Sequence, residues 1–340
     1  MLRGREDWLG QQMPLSLLRA VMLSLAVSGL ARLGGAFAPR QTRATRSAAR
    51  LWDNLAGVRG KPRRVSIADV DGVYRNVHIL DEAQTSSEPG QLPLVLLTGT
   101  AQTIGTWTGH IRELSSHRRL IIPELRSQGK GKTDLLPQHS AIDQHCRDVQ
   151  SLLVALSIDK ADFAGFSFGG RVALAFAAHY PDRVRKLSVT GVPLVRSGLG
   201  KVILSSWAES LSQQPPEILS AAYSFVLNGY SPSFIERYAA KLPQIVQQIV
   251  ESNDPERLGL LLSQSHVVDG PYSAPHCASL ITCPTQVIGA ELDRIASPDA
   301  VKALAREIKG SVYEELASCA HLAPFESPGV WRRAVLDFLR

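Results

Sequence analysis

Residues 163–176 read FAGFSFGGRVALAF: an apolar run, a glycine-rich turn with one serine, and a second apolar run. A serine alcohol is a weak nucleophile, so it does chemistry only beside a base that a third group holds in place. Two later stretches offer such partners, GAELDRIASP with Glu291 and Asp293, and SCAHLAPFESP with His321. Together these types suit acyl transfer, in which the serine attacks a carbonyl, the histidine moves the proton and the acid orients the imidazole. Each residue also has an ordinary use. Ser167 fits a tight turn, Asp293 stands next to Arg294 as a surface acid would, and His321 is one of nine histidines. A Gly-x-Ser-x-Gly match arises by chance about 0.1 times in a chain of this length. The elements that carry the three residues therefore decide.

From residue 62 onward, apolar β-rich runs alternate with amphipathic ones. RRVSIADV and VYRNVHIL flank Asp71-Gly72, a hairpin signal. LPLVLLTG (92–99) is a continuous apolar run, suited to a parallel strand buried on both faces. RRLIIPEL (118–125), KADFAGFS, KLSVTGV, PTQVIGA (284–290) and SVYEELA (311–317) read as further strands. Helical spacing runs over 107–116, 141–156, 168–179 and 330–339. Two antiparallel strands followed by β–α alternation predict an α/β fold, with a mostly parallel sheet and helices on both faces. In such sheets functional groups collect at the carboxyl ends of strands. Ser167, Asp293 and His321 each stand just beyond one. Between 195 and 272 the alternation stops, and VILSSWAESL, EILSAAYSFVL, SFIERYAAKL, IVQQIV and LGLLLSQS are all apolar helical segments. A lid-like, all-helical insertion is expected over 196–272, dividing a core of 62–195 and 273–340.

GFSFGG, GAELDRIASP and CAHLAPFESP, in this order, resemble the α/β-hydrolase superfamily across essentially the whole body. The resemblance implies an eight-stranded sheet flanked by helices, with a helical lid after strand six. It implies Ser167 as nucleophile, His321 as base and Asp293 as orienting acid, with Glu291 near enough to compete. It also implies oxyanion donors at the backbone N–H groups of Phe168 and of Thr100, in LLTGTAQT. The superfamily commonly has a histidine where this chain has Thr98, which leaves a hydroxyl of Thr98 or Thr100 as the brace of that loop. PELRSQGKGKTD (123–134) keeps Glu124, Arg126 and Gly129 of the familiar Asp-x-Arg-Gly-x-Gly-x-Ser pattern, while Ser127 and Gly131 depart from it. It reads as an arginine-anchored loop with solvated Lys130 and Lys132, and its spacing is not that of a phosphate-binding loop.

A serine at the elbow is unlike the dehalogenase and epoxide hydrolase branches, which carry aspartate there. The expectation is a serine hydrolase that cleaves an ester-type bond of a small, apolar or acyl-bearing substrate through a covalent acyl-enzyme. In the insertion, Trp207, Tyr223, Phe225, Leu227, Tyr230 and Phe234 either line an acyl pocket or pack the helices onto the core. GFSFGGR also resembles the elbow of 2-succinyl-6-hydroxy-2,4-cyclohexadiene-1-carboxylate synthase, a pyruvate-eliminating enzyme of quinone synthesis. There the arginine binds a substrate carboxylate, so Arg171 and Trp207 are the candidate substrate-binding residues. A non-catalytic ligand receptor on the same fold is a third reading.

The net charge of +6 lies in the leader, where eight arginines face only Glu6 and Asp7; the remaining 29 basic and 29 acidic residues balance. Nucleic-acid binding by the body therefore has no electrostatic support. The leader's longest uncharged apolar part, 20–30, is short for a bilayer and suits a signal-peptide core. GGAFAP and the acid-free FAPRQTRATRSAAR follow it. This arrangement resembles the bipartite presequences of algae with red-lineage secondary plastids. It implies a presequence over 1–51, first cut between Ala36 and Phe37, and a mature enzyme in the plastid stroma without a membrane span. An ordinary secretory signal is the alternative. Cys146, Cys277, Cys283 and Cys319 are few and irregularly spaced, as free thiols would be. They fit no zinc template, and neither metal nor cofactor is expected.

Overall fold

Every strand expected from the apolar runs has a counterpart in a single sheet. The structure, a computed structural model, describes residues 63–68, 74–82, 91–116, 118–129, 141–264 and 270–340. The leader, the Asp71-Gly72 turn, Lys130, Gly131 and Lys132 lie outside the described residues. The chain forms β1 (Arg63–Ala68), β2 (Tyr74–Glu82), β3 (Leu94–Leu97), α1 (Thr108–Leu114), β4 (Leu120–Pro123), α2 (Ala141–Ala155), β5 (Ala161–Phe166), α3 (Ser167–His179) and β6 (Val184–Thr190). Helices alone follow among the described residues: α4 (Gly198–Ser212), α5 (Ile218–Gly229), α6 (Pro232–Tyr238), α7 (Leu242–Ser252), α8 (Pro255–Gln264) and α9 (Ala274–Leu280). β7 (Thr285–Ala290), α10 (Pro298–Glu307), β8 (Val312–Leu316), α11 (Ala323–Glu326) and α12 (Pro328–Leu339) complete it.

The sheet order is β1-β2-β4-β3-β5-β6-β7-β8. β1 pairs antiparallel with β2 and β2 with β4, and every later pairing is parallel. β3, β4, β5 and β7 are buried at each position, which is why they read as apolar runs rather than alternating patterns. At the edge, β8 (VYEEL) buries only Leu316 and carries charge, as an unpaired edge should.

Alternate residues separate the two faces. Val95, Leu97 and Phe163 join a core with α2 and α3 side chains, while Leu94, Leu96, Ala164 and Phe166 pack with Trp107 and Trp331. Below the parallel strands, Asp162 accepts from Arg118 at 2.6 Å and from Arg185 at 2.7 Å, and Arg118 also donates to the Leu339 carbonyl at 3.1 Å. The run 118–125 is a strand only over Leu120–Pro123, and the Arg118 and Arg119 side chains just before it ion-pair with Asp162 and Asp81.

The helical segment between β6 and β7 has a small cluster of its own, built on Ala222, Val226, Tyr230, Leu242 and Val246. Two polar residues fasten it to the core. The Asn253 amide accepts the Gly129 N–H at 3.1 Å and donates to the Ala101 carbonyl at 3.0 Å. The Glu326 carboxylate accepts from the Ser231 N–H at 3.1 Å, the Ala320 N–H at 2.9 Å and the Ser231 hydroxyl. No helix among the described residues is long and apolar enough to cross a membrane.

Candidate active site

β5 runs straight into α3, and the junction residue is Ser167. Its φ is 50°, a left-handed value that costs a non-glycine residue about 1–2 kcal/mol and persists only where the surroundings impose it. Close packing imposes it here. A Cβ on Gly169 would lie 2.3 Å from the Leu97 carbonyl carbon, so no side chain fits between α3 and β3. Gly169 thus serves close approach, and the strain falls on the serine itself.

Ser167 Oγ lies 2.8 Å from His321 Nε2, and His321 Nδ1 lies 2.7 Å from Asp293 Oδ2. The other Asp293 oxygen accepts the Ile295 and Ala296 N–H groups, each at 2.8 Å, which fixes the carboxylate on the turn after β7. A carboxylate only accepts, so Nδ1 carries the proton and Nε2 faces Ser167 with a lone pair. Asp293 and His321 are buried, while Ser167 is half-buried. Gly191, at the end of β6 with φ +66°, leaves room for the ring: a Cβ there would lie 3.1 Å from His321 Cε1. Glu291 does not meet the imidazole; it is exposed and accepts the Ser318 N–H at 2.7 Å.

The loop after β3 is braced by a residue the sequence did not single out. Gln102 Oε1 accepts the Gly99 N–H at 2.8 Å and the Trp107 indole N–H at 3.1 Å. The Thr98 hydroxyl donates back to the Gln102 carbonyl at 3.3 Å, a secondary tie. The available signal was a long polar side chain three residues after Gly99, close to a buried tryptophan. The loop after β4 is arginine-anchored as expected, with Arg126 on Asp148 at 2.6 and 3.0 Å. Beside it, burial pushes the Glu124 carboxyl up to about 7, tempered by a hydrogen bond from the Ile104 backbone.

Ser167 and His321 open on a cavity of about 260 Å³ that Thr100 and Phe168 also line. Trp207, Phe225, Tyr230 and Ile249 supply apolar wall from the helical segment, and Leu322 from the His321 loop. Trp207 does both things expected of it. It faces the cavity, donates to Ser224 Oγ at 2.9 Å and meets the Phe225 ring edge-on. Of the other candidate wall residues, Tyr223 and Phe234 pack within the helical cluster, and Leu227 is 40% exposed.

Arg171 is not among the cavity residues. It is buried one helical turn past Ser167, where α3 has run back from the strand end and packs against α9. Burial depresses its pKa, and the Cys277 thiol lies within electrostatic range. The cavity's arginine is Arg196, on the connection from β6 to α4. Among the described residues, no group of three or more His, Cys, Asp or Glu side chains is placed to hold a metal ion.

Residues 93–328 match the family described as the alpha/beta hydrolase fold. Among curated relatives, 2-hydroxy-6-oxo-2,4-heptadienoate hydrolase of Pseudomonas putida is 27% identical over 253 residues, covering 73% of this chain and 88% of its own. A monoacylglycerol lipase of Bos taurus is 26% identical over 260 residues, covering 74% and 76%. The crystal structure of the enol-lactonase from Burkholderia xenovorans superposes with a TM-score of 0.68 at 22% identity, covering 81% of this chain and 99% of that one.

Proposed function

Because the chain belongs to the alpha/beta hydrolase fold family, we propose that it is a serine hydrolase acting on an ester-type bond of a small, apolar or acyl-bearing molecule. The observation that carries this reading is the hydrogen-bonded chain from Asp293 through His321 to Ser167, opening on an apolar cavity. Ser167 Oγ attacks the substrate carbonyl as His321 Nε2 takes its proton, and Asp293 stabilises the imidazolium. The oxyanion takes the backbone N–H groups of Phe168 and Thr100, one such donor lowering the barrier by about 3 kcal/mol. His321 then returns the proton to the leaving alcohol, and the acyl group stays on Ser167. Water repeats the sequence, with His321 as its base, and releases the acid.

In this reading the segment from α4 to α8 is the lid, setting acyl size and excluding water. The names of the Pseudomonas and Bos taurus relatives, hydrolases of small molecules, support a substrate of that size. The carboxylate role of Arg171 in the synthase reading loses its basis with that side chain off the cavity. The leader's resemblance to bipartite presequences supports a plastid location, tested by where a fluorescent fusion of residues 1–51 accumulates.

A fluorophosphonate tests the chemistry. Labelling of the wild-type protein that vanishes in Ser167→Ala is the expected result. Folded protein that resists the reagent would instead be a ligand receptor. p-Nitrophenyl esters of graded acyl length then measure the pocket.

A further inference from the structure

Arg196 stands immediately before α4, whose N-cap Ser197 accepts the Gly200 N–H at 3.2 Å. Among the described residues that line the cavity, it is the only lysine, arginine, aspartate or glutamate. Its guanidinium makes no hydrogen bond and no ion pair among the described residues, although five N–H donors are available. Arg196 is half-buried on the cavity wall, so water serves it only in part and no protein acceptor replaces what is lost. Burial and the charge of Arg171 push the Arg196 pKa down to about 9, and Asp293 offsets this only in part. The group is still charged at neutral pH.

The acid within range is already engaged. One Asp293 oxygen accepts two backbone N–H groups and the other faces His321. Two further positive features border Arg196. One is Arg171; the other is the N-terminus of α4, whose macrodipole favours an anion. That first turn lies hard against the Asp293 loop, since a Cβ on Gly200 would sit 2.4 Å from the Ile295 carbonyl oxygen. The folded chain thus leaves the Arg196 end of an apolar cavity positive, with Asp293 the one acid acting on that guanidinium and its oxygens already engaged.

We propose that Arg196 binds a carboxylate of the substrate, which makes that substrate an acyl compound with an anionic carboxylate at one end and an apolar chain leading to the scissile carbonyl. This assignment rests on the serine hydrolase reading. A guanidinium fork presents two parallel donors to a carboxylate's two oxygens. The walls of Trp207, Phe225 and Ile249 suit the chain between the two ends. Arg196 moves no proton; it fixes which substrates reach Ser167 in register.

Mono-p-nitrophenyl glutarate and p-nitrophenyl valerate differ only in a terminal carboxylate against a methyl group. The wild-type enzyme should favour the glutarate, and Arg196→Met should lower the glutarate-to-valerate ratio of kcat/KM by about tenfold to a hundredfold. Arg196→Lys should restore part of that ratio. Arg196→Met should leave the Tm of the ligand-free protein unchanged or raise it, since it removes a half-buried charge that makes no hydrogen bond or ion pair among the described residues. An unchanged ratio with Ser167-dependent turnover of both esters would overturn the assignment and leave the hydrolase reading intact. Binding separates the two readings without turnover. In a Ser167→Ala background, calorimetry should find 5-phenylvalerate bound about tenfold to a hundredfold more weakly after Arg196→Met, with 5-phenylpentanol unaffected. Equal binding of the acid to both proteins would sink the Arg196 role even if fluorophosphonate never labels Ser167.

Discussion

The sheet-borne side of the cavity and its helical side are built by different physics. On the sheet side, Ser167, His321, Asp293 and Gln102 sit on strand ends and are positioned by hydrogen bonds of 2.7–3.1 Å. On the helical side, Trp207, Phe225 and Ile249 are positioned by apolar packing, with Asn253 and Glu326 as polar ties to the core. Directional bonds fix reacting atoms to fractions of an ångström. Apolar packing fixes volume and shape and tolerates exchange of one side chain for another. A hydrogen-bonded set of polar side chains therefore faces a wall held mainly by packing.

If that contrast is real, substitutions on the two sides should differ in kind as well as in size. Ser167→Ala and His321→Ala should lower kcat by about 10⁴–10⁶-fold, and Asp293→Asn by about 10⁴-fold, with KM little changed. Steady-state kinetics on p-nitrophenyl esters checks this. Gln102→Leu strands two buried donors, Gly99 N–H and the Trp107 indole, and should cost about 2–4 kcal/mol of stability as well as slowing turnover. Chemical denaturation gives the first number; a kcat that survives it would show that Gln102 does not position the loop.

His110 belongs to the sheet side, among Trp107, Phe325 and Trp331, where burial and then the charge of Arg332 push its pKa down to about 4. The folded state favours the neutral ring, so its contribution is whole above pH 6.5 and is lost as pH falls from 6.5 toward 4. Up to about 3 kcal/mol should go in that window. His110→Phe should flatten this part of the stability curve, and an unchanged curve would mean the ring is solvated. Glu326→Gln weakens three accepted hydrogen bonds between α11, the His321 loop and Ser231. It should cost about 1–3 kcal/mol and lower the Tm. Phe225→Ala should act mainly through KM, by about tenfold for long acyl esters and less for acetate. A kcat loss from Phe225→Ala as large as that from Asp293→Asn would erase the distinction between the two sides.

The sheet side was largely legible in the sequence. Ser167, Asp293 and His321 were found from their places after strands, and the hydrogen-bonded chain joins the same three residues. Continuous apolar runs marked the buried strands, because a strand covered on both faces needs apolar residues at every position. The helical side was legible only as helices. Six aromatic or aliphatic side chains were candidates for the wall, Trp207 alone named for substrate binding, and packing divided them, with Trp207, Phe225 and Tyr230 on the cavity and Tyr223, Phe234 and Leu227 away from it. Arginine showed the same limit. Arg171 drew notice because it follows the elbow glycines, yet the helix carries it away from the site, while Arg196 lies in a connection with no motif at all.

By itself the sequence determined the element order, the serine–acid–histidine order and the strand after which each residue falls. Those depend on local periodicity and chain connectivity, which a linear pattern records. The tertiary structure alone removed Glu291 as a competitor to Asp293, and decided that Gln102 holds the loop after β3 and that Arg196 rather than Arg171 brings charge to the cavity. Such choices turn on where side chains point once distant segments pack, and a shift of one or two residues along a turn reverses them without altering the pattern.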